Sequence, residues 1–250
     1  MELPERSNLN RFFLPANTIQ TAKVQFPADR SHQIVRVLRL QKGDHVCVLD
    51  NTGKSYLVEL VELDAKSCLG EIIEVLTNDT EPKTNVHLIV ALTQREKFEF
   101  ILQKCTEIGV NRFTPVFTER SIVQGMSEVE KKAERWGRIV MEASEQCHRT
   151  RIPHIDEAIP LKQSLLIDAE QKLIAFENNH KFNIHSALSG SMDEKIAVLI
   201  GPEGGFSQQE VELAIANGWK SVSLGPRILR METASMVAAT LILDHFGELD

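Results

Sequence analysis

The chain has 250 residues, 42% hydrophobic and 25% charged, with 9 Pro, enough for one large core or two modest domains. Disorder and low-complexity architectures are excluded on that composition. Lys and Arg total 28 against 35 Asp and Glu, and the formal net charge of −7 argues against a protein that binds nucleic acid by bulk charge.

Along the chain, residues 11–14 and 23–26 read as extended, followed by strands over residues 45–50, 55–63 and 68–76. Turns at Lys42-Gly43-Asp44 and Asn51-Thr52-Gly53 separate them. Strands this short at this spacing predict a small barrel. Residues 29–40 read instead as a helix: Ile34 and Leu38 share one face, while His32, Arg36 and Arg39 recur at i, i+4 and i+7 on another. That basic row reads equally as a solvated helix face or as a contact surface. Between Arg11 and Lys42 six basic residues face only Asp29, so a basic patch is available on an acidic protein. The acidity lies in residues 152–250, which hold 7 basic and 14 acidic side chains.

The polar stretch 78–84, Asn-Asp-Thr-Glu-Pro-Lys-Thr, interrupts both periodicities and marks a domain boundary. Strands and helices then alternate. A strand over 86–92 precedes a helix over 97–108, whose apolar stripe is Phe98, Ile101, Leu102, Cys105 and Ile108, with Gly109 ending it. After a strand at 113–117, Ser127-x-x-Glu130 has the pattern of a capping box. It opens a long helix with a stripe of Val129, Ala133, Trp136, Val140, Ala143 and Cys147. Strands at 172–176 and 196–200, a helix at 208–217, a strand at 221–224 and a helix at 232–246 complete the pattern. This alternation predicts a parallel sheet covered by helices on both faces. No internal repeat is present.

The four cysteines are widely spaced, without a Cys-x-x-Cys pair or a nearby His at zinc spacing, so buried reduced thiols and no metal site are expected. Neither a signal peptide nor a run of about 18 apolar residues is found, and a cytoplasmic protein without a membrane segment is expected.

Three stretches exceed what packing needs. Ile200-Gly201-Pro202-Glu203-Gly204-Gly205-Phe206-Ser207 follows an apolar strand and precedes a helix with the cap Ser207-x-x-Glu210. A strand, a glycine-rich turn and a helix start make a ligand site at the carboxyl edge of a sheet. Neither a Gly-x-Gly-x-x-Gly fingerprint nor a Walker loop is present, which disfavours dinucleotides and nucleoside triphosphates. Leu224-Gly225-Pro226-Arg227-Ile228-Leu229-Arg230-Met231-Glu232-Thr233-Ala234 repeats the strand–loop–helix arrangement and can supply a second wall of the same pocket. Arg230 and Glu232 read either as site residues or as a local ion pair at the helix start. The helix that follows is small and apolar on every side, which suits a close-packed dimer interface. Finally, Glu142, Glu145, Gln146 and Arg149 share one helix face, with His148 and Arg151 nearby; a solvated face is the alternative.

Gly201-Pro202-Glu203-Gly204-Gly205, followed by Leu224-Gly225-x-Arg227-Ile228-Leu229-Arg230-x-Glu232-Thr233-Ala234, closely resembles the paired signature of the bacterial 16S ribosomal RNA uridine-N3 methyltransferases of the SPOUT superfamily. Asn10-Arg11-Phe12-Phe13, His32-x-x-x-Arg36-Val37-Leu38-Arg39, Lys104-x-x-Glu107-Ile108-Gly109-Val110 and Glu142-Ala143-x-Glu145-Gln146-x-x-Arg149 resemble the same family, so the likeness covers nearly the whole chain. Met231 departs from it, standing where a small residue or Thr is expected.

The resemblance implies a PUA-like RNA-binding barrel over residues 1–77 and an α/β methyltransferase domain over 78–250 with a trefoil knot, which ordinary connection rules would have excluded. It implies a homodimer that methylates N3 of a uridine in the decoding region of 16S rRNA of the small ribosomal subunit. The donor, S-adenosyl-L-methionine, would be held by Phe176 and the residues after it, Ile200, Gly201, Pro202, Gly204, Gly205, Leu224, Gly225, Ile228, Leu229, Arg230 and Thr233. Arg230 is expected to stabilise the uridine oxyanion. Glu203, Glu232 or a carboxylate of the Glu142/Glu145 face is expected to take the proton, with Arg149 close to the chemistry. Arg11, His32, Arg36 and Arg39 are expected to contact phosphates, and Arg149 and Arg151 to extend that track. Two rival readings keep the same pocket or surface: a related enzyme acting on a ribose hydroxyl or a transfer RNA, and a non-catalytic RNA-binding assembly factor.

Overall fold

The computed structural model describes residues 9–77, 80–122, 125–176, 182–190 and 194–249. The Ser127 side chain, read above as a helix cap, and residues 177–181, read as part of the donor site, lie outside the described residues. Two compact units form, Met1–Glu81 with Ser144–Ile152, and Pro82–Ala143 with Pro153–Asp250.

In the first unit β1 (Arg11–Phe13), β2 (Lys23–Phe26), β3 (His45–Leu49), β4 (Ser55–Glu62) and β5 (Cys68–Leu76) form one sheet in the order β1-β3-β4-β5-β2. β1 runs parallel to β3 and the other pairs are antiparallel. Register shifts at Leu57/Val58 and Leu60/Glu62 of the β4–β5 pair bend the sheet into a half-barrel. Its concave face closes over Phe12, Val24, Phe26, Ile34, Val46, Val48, Val58 and Leu60, with Phe12 and Phe26 edge to face at 6.2 Å.

The helix expected over 29–40 is shorter and irregular. α1 (Ala28–His32) passes into a single π turn at Gln33–Val37, where the Leu38 N–H donates to the Gln33 carbonyl at 2.9 Å, and Arg39 leaves with φ 55°. The wide turn keeps Ile34 in the core and leaves His32, Arg36 and Arg39 exposed.

The second unit has an all-parallel sheet in the order β12-β10-β11-β6-β7-β8, with β9 also on β7. Its strands are β6 (Asn85–Ala91), β7 (Arg112–Phe117), β8 (His154–Ile155), β9 (Ile159–Pro160), β10 (Gln171–Ala175), β11 (Lys195–Ile200) and β12 (Lys220–Val222). The two-residue strands β8 and β9 are too short to leave a period in the sequence. Between strands lie α2 (Arg95–Ile108), α3 (Met126–Gln146), α4 (Leu161–Ser164), α5 (Ile184–Ala187), α6 (Gln208–Ala216) and α7 (Met231–His245). Central strands β6 and β11 are buried along almost their whole length, as strands covered on both faces must be.

α2 and α7 pack on each other, and α7 lies on β6 and β11. In α3 the buried positions are Val129, Trp136, Val140 and Ala143, Trp136 stacking on Phe98 at 4.6 Å. Ala133, expected in that stripe, is exposed, and Cys147 is only half-buried. Among the described residues no helix is long and apolar enough to cross a membrane, and no cluster of His, Cys, Asp or Glu could hold a metal ion.

Candidate functional site

Chain order in the second unit runs from β6 to β7 and β8 in one direction and to β10, β11 and β12 in the other, so the reversal lies between the adjacent strands β6 and β11. Ligands of open α/β sheets bind outside the carboxyl ends of the strands at such a reversal. There the loop leaving β11, residues 201–206, and the loop before α7, residues 228–230, line a cavity of about 520 Å3 together with Ala175 at the end of β10.

Local sequence explains the geometry. The hydroxyl of Ser207 caps α6 and Glu210 reaches back to the Ser207 N–H, a reciprocal capping box that fixes where the loop ends. Glu210 also accepts the Glu119 N–H at 2.8 Å, and Arg120 donates to the Gly204 carbonyl at 2.8 Å, so the segment after β7 anchors the loop from a second side. A side chain on Gly201 would meet the Phe206 ring at 3.0 Å, so the loop closes only over hydrogen. Gly225 holds φ 124°, a conformation open to glycine, where the second loop turns back toward α7.

Of the expected donor-site residues, Ile200, Gly201, Pro202, Gly205, Ile228, Leu229 and Arg230 line this one cavity. Gly204, Leu224, Gly225 and Thr233 belong to the same loops and helix start but are not among the residues lining it. Phe176 instead lines a separate apolar cavity with Phe182 and Trp219. Met231 is buried in the wall, so the departure from the family pattern is accommodated as packing. Ile228 is 86% exposed at the rim, an apolar side chain held in water.

The cavity holds four charged side chains, Lys97, Glu203, Arg230 and Glu232. Glu203 accepts from the Thr93 hydroxyl and from the Lys97 ammonium at 2.9 Å. Burial raises its carboxyl pKa, but these two donors outweigh burial and hold it below the ordinary value. Sequence reasoning passed over Lys97 and Thr93. The available signal was their place just after β6, whose end meets the reversal. Arg230 is exposed at the N-cap of α7 and forms no ion pair with Glu232 or any other described residue, which removes the local-pair reading. Glu232 Oε2 is shielded from water and meets no donor among the described residues.

Three of the expected site residues are engaged inside the first unit. Glu145, read as a candidate proton acceptor, is a strut inside the first unit: Oε1 accepts from Arg30 at 2.7 Å and from the Phe13 N–H at 2.9 Å. Arg149, expected at the chemistry and on the RNA track, is 3% exposed and paired with Glu81 at 2.8 Å; Glu81 also takes the N–H groups of Thr150 and Arg151. Arg11, expected on phosphate, is 8% exposed and directs Nη1 to the Cys47 sulfur at 3.2 Å. Glu145 and Arg149 each close on an opposite charge, because a buried ion is costly to leave unpaired. His32, Arg36, Arg39 and Arg151 remain exposed.

The opposite, amino edge of the sheet has its own cavity, about 630 Å3, where Arg112 and His154 close on Asp156 and the side chains of Glu157, Asp168 and Lys195 stand exposed. Asp156 accepts from Arg112 at 2.7 and 2.8 Å, from the Thr114 hydroxyl and from His154 at 3.2 Å, while His87 meets Thr114 at 2.7 Å. Burial raises the Asp156 pKa, yet the bonds from His87, Arg112 and Thr114 hold its carboxyl well below the usual range. This arrangement is architectural.

Residues 80–243 match the family model described as an RNA methyltransferase domain, and residues 26–73 match an RNA methyltransferase PUA domain. A ribosomal RNA small subunit methyltransferase E from Buchnera aphidicola subsp. Schizaphis graminum is 34% identical over 96% of this chain and 96% of its own length. The Bacillus subtilis protein of the same name is 32% identical over 94% and 96%. Among solved structures, the crystal structure of a ribosomal RNA small subunit methyltransferase E from Neisseria gonorrhoeae bound to S-adenosyl methionine superposes with TM-score 0.87. It has 31% identity and covers 95% of this chain and 98% of that one.

Proposed function

The chain belongs to the ribosomal RNA small subunit methyltransferase E family, and from that membership we propose that it methylates N3 of one uridine in the decoding region of 16S rRNA of the small ribosomal subunit, using S-adenosyl-L-methionine. The observation that carries this reading is the single cavity built by the two glycine-containing loops at the sheet reversal, with an unpaired Arg230 and Glu232 in its wall. The walls fit the donor. Ile200, Leu229 and Met231 offer apolar surface for a heteroaromatic ring, and the main chain of Gly201 and Gly205 lines the cavity within reach of a ligand. Bound there, S-adenosylmethionine supplies a methyl group on a sulfonium that leaves as a neutral thioether.

The protein has two tasks beyond holding the donor. It fixes the nucleobase in line, a contribution worth up to about 7–11 kcal/mol, and it manages the weakly acidic N3–H imide. The Arg230 guanidinium faces the negative charge that develops on the uracil oxygens as the proton leaves.

In this reading residues 1–77 grip RNA and residues 78–250 carry the reaction, with the chain of the latter threaded as a trefoil knot. The exposed row of His32, Arg36 and Arg39 meets phosphates. A second copy covers the α7 side chains that stay half-buried, Met236, Val237 and Leu241, giving a cytoplasmic homodimer. The test incubates small ribosomal subunits with the protein and isotopically labelled donor and maps methylated nucleotides in 16S RNA by mass. The expected result is one 3-methyluridine, with light scattering reporting two chains per particle. Label on a ribose or in transfer RNA would favour the rival enzyme, and no donor binding in calorimetry would favour the assembly factor.

A further inference from the structure

The four charged side chains of the carboxyl-edge cavity divide into a closed pair and an open one. Lys97 and Glu203 meet at 2.9 Å, with Thr93 as a second donor to the same carboxylate oxygen. Arg230 and Glu232 stand two residues apart at the start of α7 and bond to no described residue, and Glu232 Oε2 lies out of reach of water with no donor. A buried carboxylate oxygen without a donor is costly and persists where a ligand supplies the missing group.

Resting on the function proposed above, we infer that Glu232 is the catalytic residue that accepts the N3 proton of the target uracil while Arg230 pairs with the adjacent carbonyl oxygens, and that Lys97, Thr93 and Glu203 position the loop 201–205. The base edge dictates this division. Uracil presents an acceptor, O4, a donor, N3–H, and a second acceptor, O2. A carboxylate matches the donor and a guanidinium matches the acceptors. Cytosine presents a lone pair at N3 and an amino group beside it, so the same two side chains would face a repelling lone pair and a donor they cannot accommodate. Choice of base and removal of the proton are then a single act.

In the step itself the N3–H bond breaks and an O–H bond forms on Glu232. The electron pair stays on N3 and spreads onto O2 and O4, where Arg230 lies, and it becomes the nucleophile. The neutral Glu232 acid afterwards returns its proton to water through the cavity that its side chain lines, once the product has left. Glu203 is the poorer base, since the Thr93 and Lys97 donors on its Oε1 lower its proton affinity.

Full-length Glu232→Gln, Glu232→Asp and Glu203→Gln are compared with the unmutated protein on small ribosomal subunits. The readouts are donor affinity by calorimetry, single-turnover rate against pH, and identity of the methylated nucleoside. Glu232→Gln is expected to bind S-adenosylmethionine within about threefold of the unmutated protein, showing that it folds. It should lose on the order of 10²–10⁴ in rate, together with the acid limb of the pH profile. Glu232→Asp should restore part of that rate. Glu203→Gln should raise KM for the donor and keep the acid limb. Turnover by Glu232→Gln within about threefold of normal, or disappearance of the acid limb in Glu203→Gln instead, would overturn the assignment. If the unmutated protein methylates an atom other than uracil N3, the product nucleoside shows at once that the proposed function itself has failed.

Discussion

At the amino edge of the parallel sheet, Asp156 is wrapped by Arg112, Thr114 and His154 with His87 behind, whereas at the carboxyl edge Arg230 and Glu232 stand unpaired around a smaller cavity. Both edges gather side chains of opposite charge on the same strands. The amino edge closes Asp156 on several partners, which holds strand ends in place, while Glu157, Asp168 and Lys195 line the same cavity exposed. The carboxyl edge closes one pair, Lys97 with Glu203, and leaves the other open. Of these two cavities the amino-edge one is the larger, and the state of the charges, not size, distinguishes them.

The sharpest way to break this contrast is to remove the open cation. Arg230→Ala should lower turnover by about 10²–10³, the range for losing one group that stabilises a developing oxyanion, while melting temperature barely moves because Arg230 is exposed and unpaired. Unchanged turnover together with unchanged affinities would remove Arg230 from the chemistry.

The reverse is expected at the other edge. Asp156→Asn should cost about 1 kcal/mol of stability, since Arg112 and His154 stand largely in solvent and Thr114 is the buried donor, with kcat in the surviving folded protein unaltered. Its pH dependence follows from the depressed carboxyl. The stability it supplies is complete above the ordinary carboxylate pKa, about 3.9, and is lost as pH falls below that toward the lower folded value. Thermal melts of the unmutated protein should therefore decline more steeply below about pH 4 than those of Asp156→Asn, and parallel curves would contradict the role.

The smallest effect on folding is expected on the basic row of the first unit. Arg36→Glu with Arg39→Glu should shift stability by less than about 0.5 kcal/mol. Affinity for ribosomal RNA should fall, and its salt dependence should weaken by about one counterion per lost contact. Unaltered RNA affinity would detach this face from RNA.

Much of the carboxyl-edge site was legible in the order of residues. Gly201, Gly205 and Gly225 flank strands whose apolar runs are unmistakable, Ser207 and Glu210 spell the cap that places a helix beside them, and Ile228 to Arg230 occupy the second wall as expected. Lys97 was illegible because it is distant in sequence from Glu203 and looks like any charge in a first helical turn. Arg11 and Arg149 show the opposite limit: a motif identifies which residue is present, but not whether its charge meets solvent or an interior Cys47 or Glu81.

Periodicity, turn residues and caps are local, so composition and order determined the two-part organisation, the parallel sheet and the strand–loop–helix units that bear the glycines. The fate of each charge depends on groups brought together from positions such as 30 and 145, or 97 and 203. Only the tertiary structure decided which carboxylates are struts and which one meets no donor among the described residues, because pairing and desolvation are set by distances that the linear chain does not contain.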